Sequence, residues 1–259
     1  MDSDRQNQLI VEQFTAQAEP FARFAPHSDE DALRLVREAA AVGPGDVVLD
    51  VACGPGIVAC DFAGHAEHVM GVDLTPGMIE QARALQASKG LANLDWRVAD
   101  VADLPFDDAS FSVVFSRYAF HHLLDPARVL AEMARVCRPG GRVVVVDVHA
   151  RDPEQGAAYD RMEKLRDPSH VRAIGLDEFA SLYAKAGLLP PAVRTYGLEV
   201  DADALLAATD TPAGPREQVR SLLQEDVGVD ALGVDAREAG GSLRFTFPIA
   251  VLVGLKPAP

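Results

Sequence analysis

The stretch VVLDVACGPGIVA, Val47 to Ala59, decides the fold. An apolar, β-branched run leads into a glycine-proline turn, and the residues beyond it suit a helix. It reads as a buried strand, a tight turn and a helix N-terminus. An acid, Asp50, stands just before the turn. Gly54, Gly56 and Ala59 satisfy G-x-G-x-x-G/A, and Asp73 follows about twenty residues on, at the end of the next apolar run. Nucleotide-binding folds use that spacing to bring a phosphate to a helix N-terminus and a ribose to an acid. A dinucleotide site, and with it an NAD-dependent oxidoreductase, is therefore one reading.

Outward from this stretch, β-rich runs recur at Val47–Ala52, His68–Leu74, Leu94–Asp100, Phe111–Tyr118 and Gly141–His149. Helical patterns fill the gaps near Asp29–Val42, Pro55–His65, Pro76–Gly90, Pro126–Cys137 and Asp177–Ala186, and three of them open on a proline. Strand and helix in alternation predict a doubly wound α/β fold with a mostly parallel sheet and right-handed crossovers. The run VVVVDV is apolar on both faces, as a strand covered by helices on each side must be. In RPGG, Arg138 to Gly141, the spacing predicts that Gly140 ends the preceding helix in the left-handed conformation. Beyond His149 the pattern predicts a polar helix at Pro153–Arg166, the loop RDPSH, a strand at Pro191–Val200 and a last strand at Ser242–Leu255. The segment 201–241 and a helix near Leu9–Ala18 suit covers over a pocket. The chain divides into an N-terminal helical cap (1–44), a core (45–150) and a substrate-side insert with the last two strands (151–259), all in one domain.

A chain of 259 residues, 48% apolar and 24% charged, buries roughly 75% of its unfolded surface on folding. No run of eighteen apolar residues and no signal-peptide pattern occurs, which predicts a cytosolic protein without a membrane span. A net charge of −15 with no basic patch argues against nucleic acid as a partner. Cys53, Cys60 and Cys137 form no CxxC pair, and no histidine stands at metal-ligand spacing. Cys53 reads as a small packing residue before it reads as a nucleophile.

The charge near the turn separates the ligand classes. A pyrophosphate wants positive potential and free backbone N–H groups, whereas Asp50 supplies negative charge and Pro55 removes a donor. A ligand carrying an ammonium and a sulfonium reverses the sign, and S-adenosyl-L-methionine is such a ligand. Its ribose diol would donate to Asp73, and its adenine amine to Asp100, which ends the third strand. Taken singly, each acid also has an ordinary role open to it, as a helix cap, a turn former or a solvated strand end. Their placement at three successive strand ends favours the ligand.

The motifs DVACGPG, VDLTPGMIEQAR, VADVADLPFDDASFSVVFSRYAFHHL and LAEMARVCRPGGRVVVVD, in that order, resemble the class I S-adenosylmethionine-dependent methyltransferases, in the ubiquinone/menaquinone-biosynthesis-like (type 11) branch. The resemblance implies a Rossmann-like, seven-stranded, mostly parallel sheet whose last strand is antiparallel. It implies that Asp50, Gly54 and Gly56 hold the methionine end, that Leu74 and Met78 flank the ribose held by Asp73, and that Val101 offers its backbone N–H beside Asp100. Core packing is an equal reading for Met78. Ser116 and Arg117 would lie near the transferring methyl, and Phe14 and Phe21 in QFTAQAEPFARF would close the cap. Phe21 and Phe24 stand where the resemblance implies a tyrosine. The acceptor implied is a small molecule, phenolic or quinol-like, and the product is S-adenosyl-L-homocysteine.

Methyl transfer is an in-line displacement that needs alignment, exclusion of water and, for an oxygen or nitrogen acceptor, removal of a proton. His122 and His170 are the candidate bases, with Arg117 as an acceptor-binding group or a partner of Asp167. Adjacent residues do not share a face, so at most one of His121 and His122 reaches the pocket, and His122 is preferred. A protein that binds the cofactor without transferring its methyl has the same motifs, because function lives in the acceptor site.

Overall fold

In a computed structural model the described residues are 2–22, 30–209 and 211–258, with the backbone alone for 16–22. Phe24 and the side chain of Phe21 lie outside them. The chain begins with α1 (Ser3–Ala22) and α2 (Glu30–Ala40), then alternates β1 (Val47–Val51), α3 (Ile57–Ala63), β2 (His68–Asp73), α4 (Pro76–Lys89) and β3 (Leu94–Val98). It continues through β4 (Phe111–Arg117), α5 (Pro126–Val136) and β5 (Cys137–Ala150). Beyond these come α6 (Pro153–Arg166), β6 (Ile174–Gly175), α7 (Leu176–Lys185), β7 (Ala192–Asp201), α8 (Ala202–Ala208), α9 (Ala213–Asp226), β8 (Arg237–Ala239) and β9 (Ser242–Leu255).

The sheet runs β3-β2-β1-β4-β5-β9-β7, with β6 paired to β5 and β8 to β9. Strands β1 to β5 are parallel, and β9 is antiparallel to both β5 and β7. The expected seven-strand path with its antiparallel last strand is present, and the short β6 and β8 are additions to it. Strand order reverses between β1 and β4, which opens a crevice at the carboxyl ends of these strands.

The sheet is buried on both faces. Val144 and Val146 pack with Phe62 and Phe115 on one side, and Val143 and Val145 pack with Leu49, Leu130 and Phe179 on the other. Two-residue alternation in one apolar run thus feeds two cores. No described helix is long and apolar enough to cross a membrane.

One expected terminus differs. Helix α5 stops at Val136, Cys137 is already extended, and Gly140 (φ +73°) lies inside β5. There the pairing with β4 jumps from Phe111↔Cys137 to Val113↔Arg142. The carbonyls that a left-handed glycine would have capped are taken by Lys256, whose Nζ donates to the carbonyls of Ala134 and Cys137, each at 2.8 Å. Freed from capping, Gly140 donates its backbone N–H to the Lys256 carbonyl at 2.9 Å.

Candidate active site

The chain leaves β1 through three left-handed residues, Ala52 (φ +56°), Gly54 (φ +52°) and Gly56 (φ +79°). The conformation costs an alanine about 1–2 kcal/mol, and such strain collects at functional turns. The two glycines do different work. A Cβ on Gly54 meets nothing within 4 Å, whereas one on Gly56 would lie 2.5 Å from Trp96 Cη2 and 2.9 Å from the Cβ of Ala82. Gly54 therefore keeps its open side toward the crevice, and Gly56 lets α3 close on the sheet.

Over the turn lies a cavity of about 240 Å³. Asp50, Gly54, Asp73, Leu74, Met78, Asp100, Val101 and Arg117 line it from the sheet side, α1 contributes Phe14, and His122 closes one end. The three acids are set differently. Asp73 is tied down by its neighbours: Oδ2 accepts the N–H of Gly54 at 2.9 Å and Oδ1 that of Thr75 at 2.8 Å. Burial still raises its pKa against those bonds. Asp100 accepts Ala102 N–H at 2.8 Å on Oδ1 and the Asn7 side-chain amide of α1 at 2.9 Å on Oδ2.

Asp50 is 2% exposed, and its Oδ2 has no hydrogen-bond partner. Burial drives its pKa up to about 7, Arg117 draws it down and Asp73 adds to the rise. A buried carboxylate with an unused oxygen is a site built for a cationic donor. The ammonium or sulfonium of S-adenosylmethionine fits that requirement. A pyrophosphate would face Asp50 and Asp73 with no N–H from Pro55. Beside them the Cys53 thiol is pushed well up, first by burial and then by the charges of Asp73 and Asp50, so it stays neutral and packs.

Three expected residues are not on the cavity wall. Gly56 packs against Trp96, and Ser116 is 1% exposed under the strand end. His170 faces α6: its Nε2 lies 2.8 Å from Asp160 Oδ1, its side chain is fully buried and it lines neither this cavity nor the second one beside it. Asp160 also accepts the N–H of Ala173 at 2.7 Å, so it fastens the returning loop and turns His170 away from the crevice. Asp167 accepts both the backbone N–H and the hydroxyl of Ser169, and the Arg117 guanidinium lies over the Tyr118 ring at 4.9 Å.

His121 and His122 belong to a short 3-10 turn after β4, where two cavities adjoin. His122 lines both and His121 lines only the second, of about 70 Å³. Ser169 Oγ gives its single proton to Asp167 Oδ1 at 2.6 Å, so His122 Nδ1, 3.1 Å away, is the donor to that hydroxyl. Burial, with the charges of His121 and His170, holds the His122 pKa well down and the ring neutral. His121 Nδ1 lies 2.6 Å from Asp147 Oδ1. Burial lowers the His121 pKa, but the charge and hydrogen bond of Asp147 outweigh it and the net shift is upward. Asp147 went unnoticed in the sequence although its signal was there: it is the acid that follows the apolar run VVVV within β5.

Fold and site together define an α/β protein that holds a cationic nucleoside cofactor at the switch point of its sheet. The methyltransferase domain family profile matches residues 49–145. The uncharacterized methyltransferase YcgJ of Bacillus subtilis is 30% identical over 212 residues, 81% of this chain and 84% of its own. The crystal structure of YcgJ superposes with a TM-score of 0.80 at 28% identity, covering 88% of this chain and 99% of that one. Demethylmenaquinone methyltransferase of Clavibacter sepedonicus is 33% identical over 156 residues, 59% of this chain and 63% of its own. The chain belongs to the class I S-adenosylmethionine-dependent methyltransferases, in the type 11 branch, and its cofactor is S-adenosyl-L-methionine.

Proposed function

We propose that the protein methylates a small-molecule acceptor of phenolic or quinol type, with the cofactor in the larger cavity. The observation that carries the placement is Asp50, which lines that cavity and whose buried Oδ2 has no hydrogen-bond partner. In this reading Asp50 holds the methionine end above Gly54. Asp73 takes the ribose hydroxyls between Leu74 and Met78. Asp100 accepts the adenine amine, and Val101 offers its N–H to the ring. Once bound, the cofactor supplies an electrophilic methyl on a sulfonium. The protein's part is to bind, align and keep water out, and Phe14, packed edge-on to His122 at 5.2 Å, covers the site where cofactor and acceptor meet. The similarity to a demethylmenaquinone methyltransferase supports an aromatic acceptor. Three free, buried cysteines agree with a reducing, cytosolic setting.

The test is to supply S-adenosylmethionine with a panel of small phenols and hydroquinones and to follow S-adenosylhomocysteine. Turnover with a panel member is expected. Tight cofactor binding with no turnover on any small acceptor would favour a protein that holds the cofactor without using its methyl.

A further inference from the structure

Phe14, Tyr118 and His122 line both cavities, which adjoin at these three residues. Tyr118 takes this place because the chain turns left-handed there (φ +56°), a strained setting for a bulky residue. Beyond them the walls of the second cavity are aromatic and aliphatic, from Tyr159 on α6, Leu198 on β7 and Phe247 on β9. His121 opens onto this second cavity.

Its orientation is fixed from behind. Asp147 Oδ2 accepts the N–H of Phe120 at 2.7 Å, and Oδ1 accepts that of Val148 at 2.7 Å and faces His121 Nδ1. A carboxylate used this way is an acceptor, so Nδ1 carries the proton of the neutral ring and Nε2 keeps its lone pair. Among the described residues Nε2 has no hydrogen-bond partner. The backbone is pinned as well, for the His121 carbonyl accepts the N–H groups of Val171 at 2.8 Å and Arg172 at 3.2 Å.

The groups around His121 set the charge of its ligand. Asp147, Glu163 and Asp167 are acidic, Arg166 is already bonded to Glu163, and Tyr118, Tyr159, His122 and His170 stand beside them. The balance is negative, which disfavours a carboxylate or phosphate, and the aromatic walls suit a ring.

Resting on the methyltransferase reading above, we propose that the second cavity is the acceptor subsite, that it takes the hydroxyl of an uncharged phenol or enol, and that Nε2 of His121 removes the hydroxyl proton, with Asp147 as its positioning residue. The acceptor O–H bond breaks toward Nε2. The oxygen forms its bond to the methyl carbon while the sulfur–methyl pair stays on sulfur, and the proton leaves His121 for solvent. His122, neutral and donating to Ser169, serves as wall and not as proton carrier. Because His121 acts unprotonated, activity falls as pH drops through its raised pKa.

The test uses 4-methylphenol, with 4-methylbenzoate as its anionic counterpart, on wild-type protein and the variants His121→Gln and Asp147→Asn. Calorimetry with S-adenosylhomocysteine comes first. Equal affinity in all three proteins is expected, since neither residue lines the cofactor cavity, and it shows that the variants are folded. Failure of the wild type to bind it would strike the methyltransferase reading itself. The loaded wild type should bind 4-methylphenol and not 4-methylbenzoate. Methyl transfer to 4-methylphenol should fall about 100- to 10,000-fold in His121→Gln, and the acid limb of its pH–rate profile should vanish. Asp147→Asn should lower kcat with little change in KM. Preference for the benzoate, no transfer to 4-methylphenol by the wild type, or an acid limb that survives in His121→Gln would each overturn the proposal.

Discussion

Asp50 concentrates the residue-scale argument, because the same carboxylate costs stability and provides binding. Its folded pKa is raised to about 7 from an ordinary 3.8, so between those values the folded state holds a proton that the unfolded chain has lost. Apo stability therefore declines as pH rises from about 4 toward 7, by at most about 4 kcal/mol, and then levels. Asp50→Asn is expected to raise the apo Tm at pH 8, by roughly 2–4 °C per kcal/mol recovered. It should also weaken S-adenosylmethionine binding about 10- to 150-fold, the worth of one charge-assisted hydrogen bond. Thermal melts and calorimetry on one preparation check both; a destabilised variant with full affinity would contradict the assignment. Gly56 makes the complementary case. Its left-handed φ and the 2.5 Å approach to Trp96 predict that Gly56→Ala loses more than about 2 kcal/mol of folding stability in urea unfolding. Gly54→Ala, open on its Cβ side, should lose less stability.

At the scale of elements, α1 is the part that moves the account from a cofactor-binding sheet to an enclosed site. Gln6, 2% exposed, donates from Nε2 to the carbonyls of His122 at 2.9 Å and Ser169 at 2.7 Å, joining α1 to the turn after β4 and to the loop after α6. Gln6→Ala leaves both carbonyls without that donor, at about 1–3 kcal/mol, and the loss falls on the docking of α1. Amide exchange of α1 should quicken about 5- to 150-fold while β1, β4 and β5 keep their protection; unchanged exchange in α1 would show that the helix is held by other contacts. The strands were legible in the sequence because burial on both faces leaves long apolar runs, and β9 has both of its expected ends. Gly140 was misread because its role depends on Lys256, more than a hundred residues along the chain and invisible to any local pattern. The acids at three strand ends were legible for the same reason as the strands. The histidines were legible only in part: His122 lines the cavity as expected, but two neighbours in a three-residue 3-10 turn carry no periodicity to place His121, and the loop at His170 is turned by Asp160, on a helix that reads only as polar.

The whole molecule carries a net charge of −15, and its larger cavity presents Asp50, Asp73 and Asp100 at the strand ends. That field draws in a ligand of net positive charge such as S-adenosylmethionine and leaves the uncharged product S-adenosylhomocysteine little affected. Raising ionic strength from about 0.01 M to about 0.1 M shortens the screening length from about 30 Å to about 10 Å. Stopped-flow association of S-adenosylmethionine should then slow a few-fold, and that of the product should change much less. Equal salt dependence for both ligands would place the acids outside the binding path. The most direct test of the account is calorimetric titration of wild-type protein with S-adenosylmethionine, S-adenosylhomocysteine and NAD(H) in parallel, at about pH 8. Micromolar binding of both sulfur ligands, with none of NAD(H), is the predicted result. Binding of NAD(H) alone would contradict it and make Gly54 and the α3 N-terminus a pyrophosphate site.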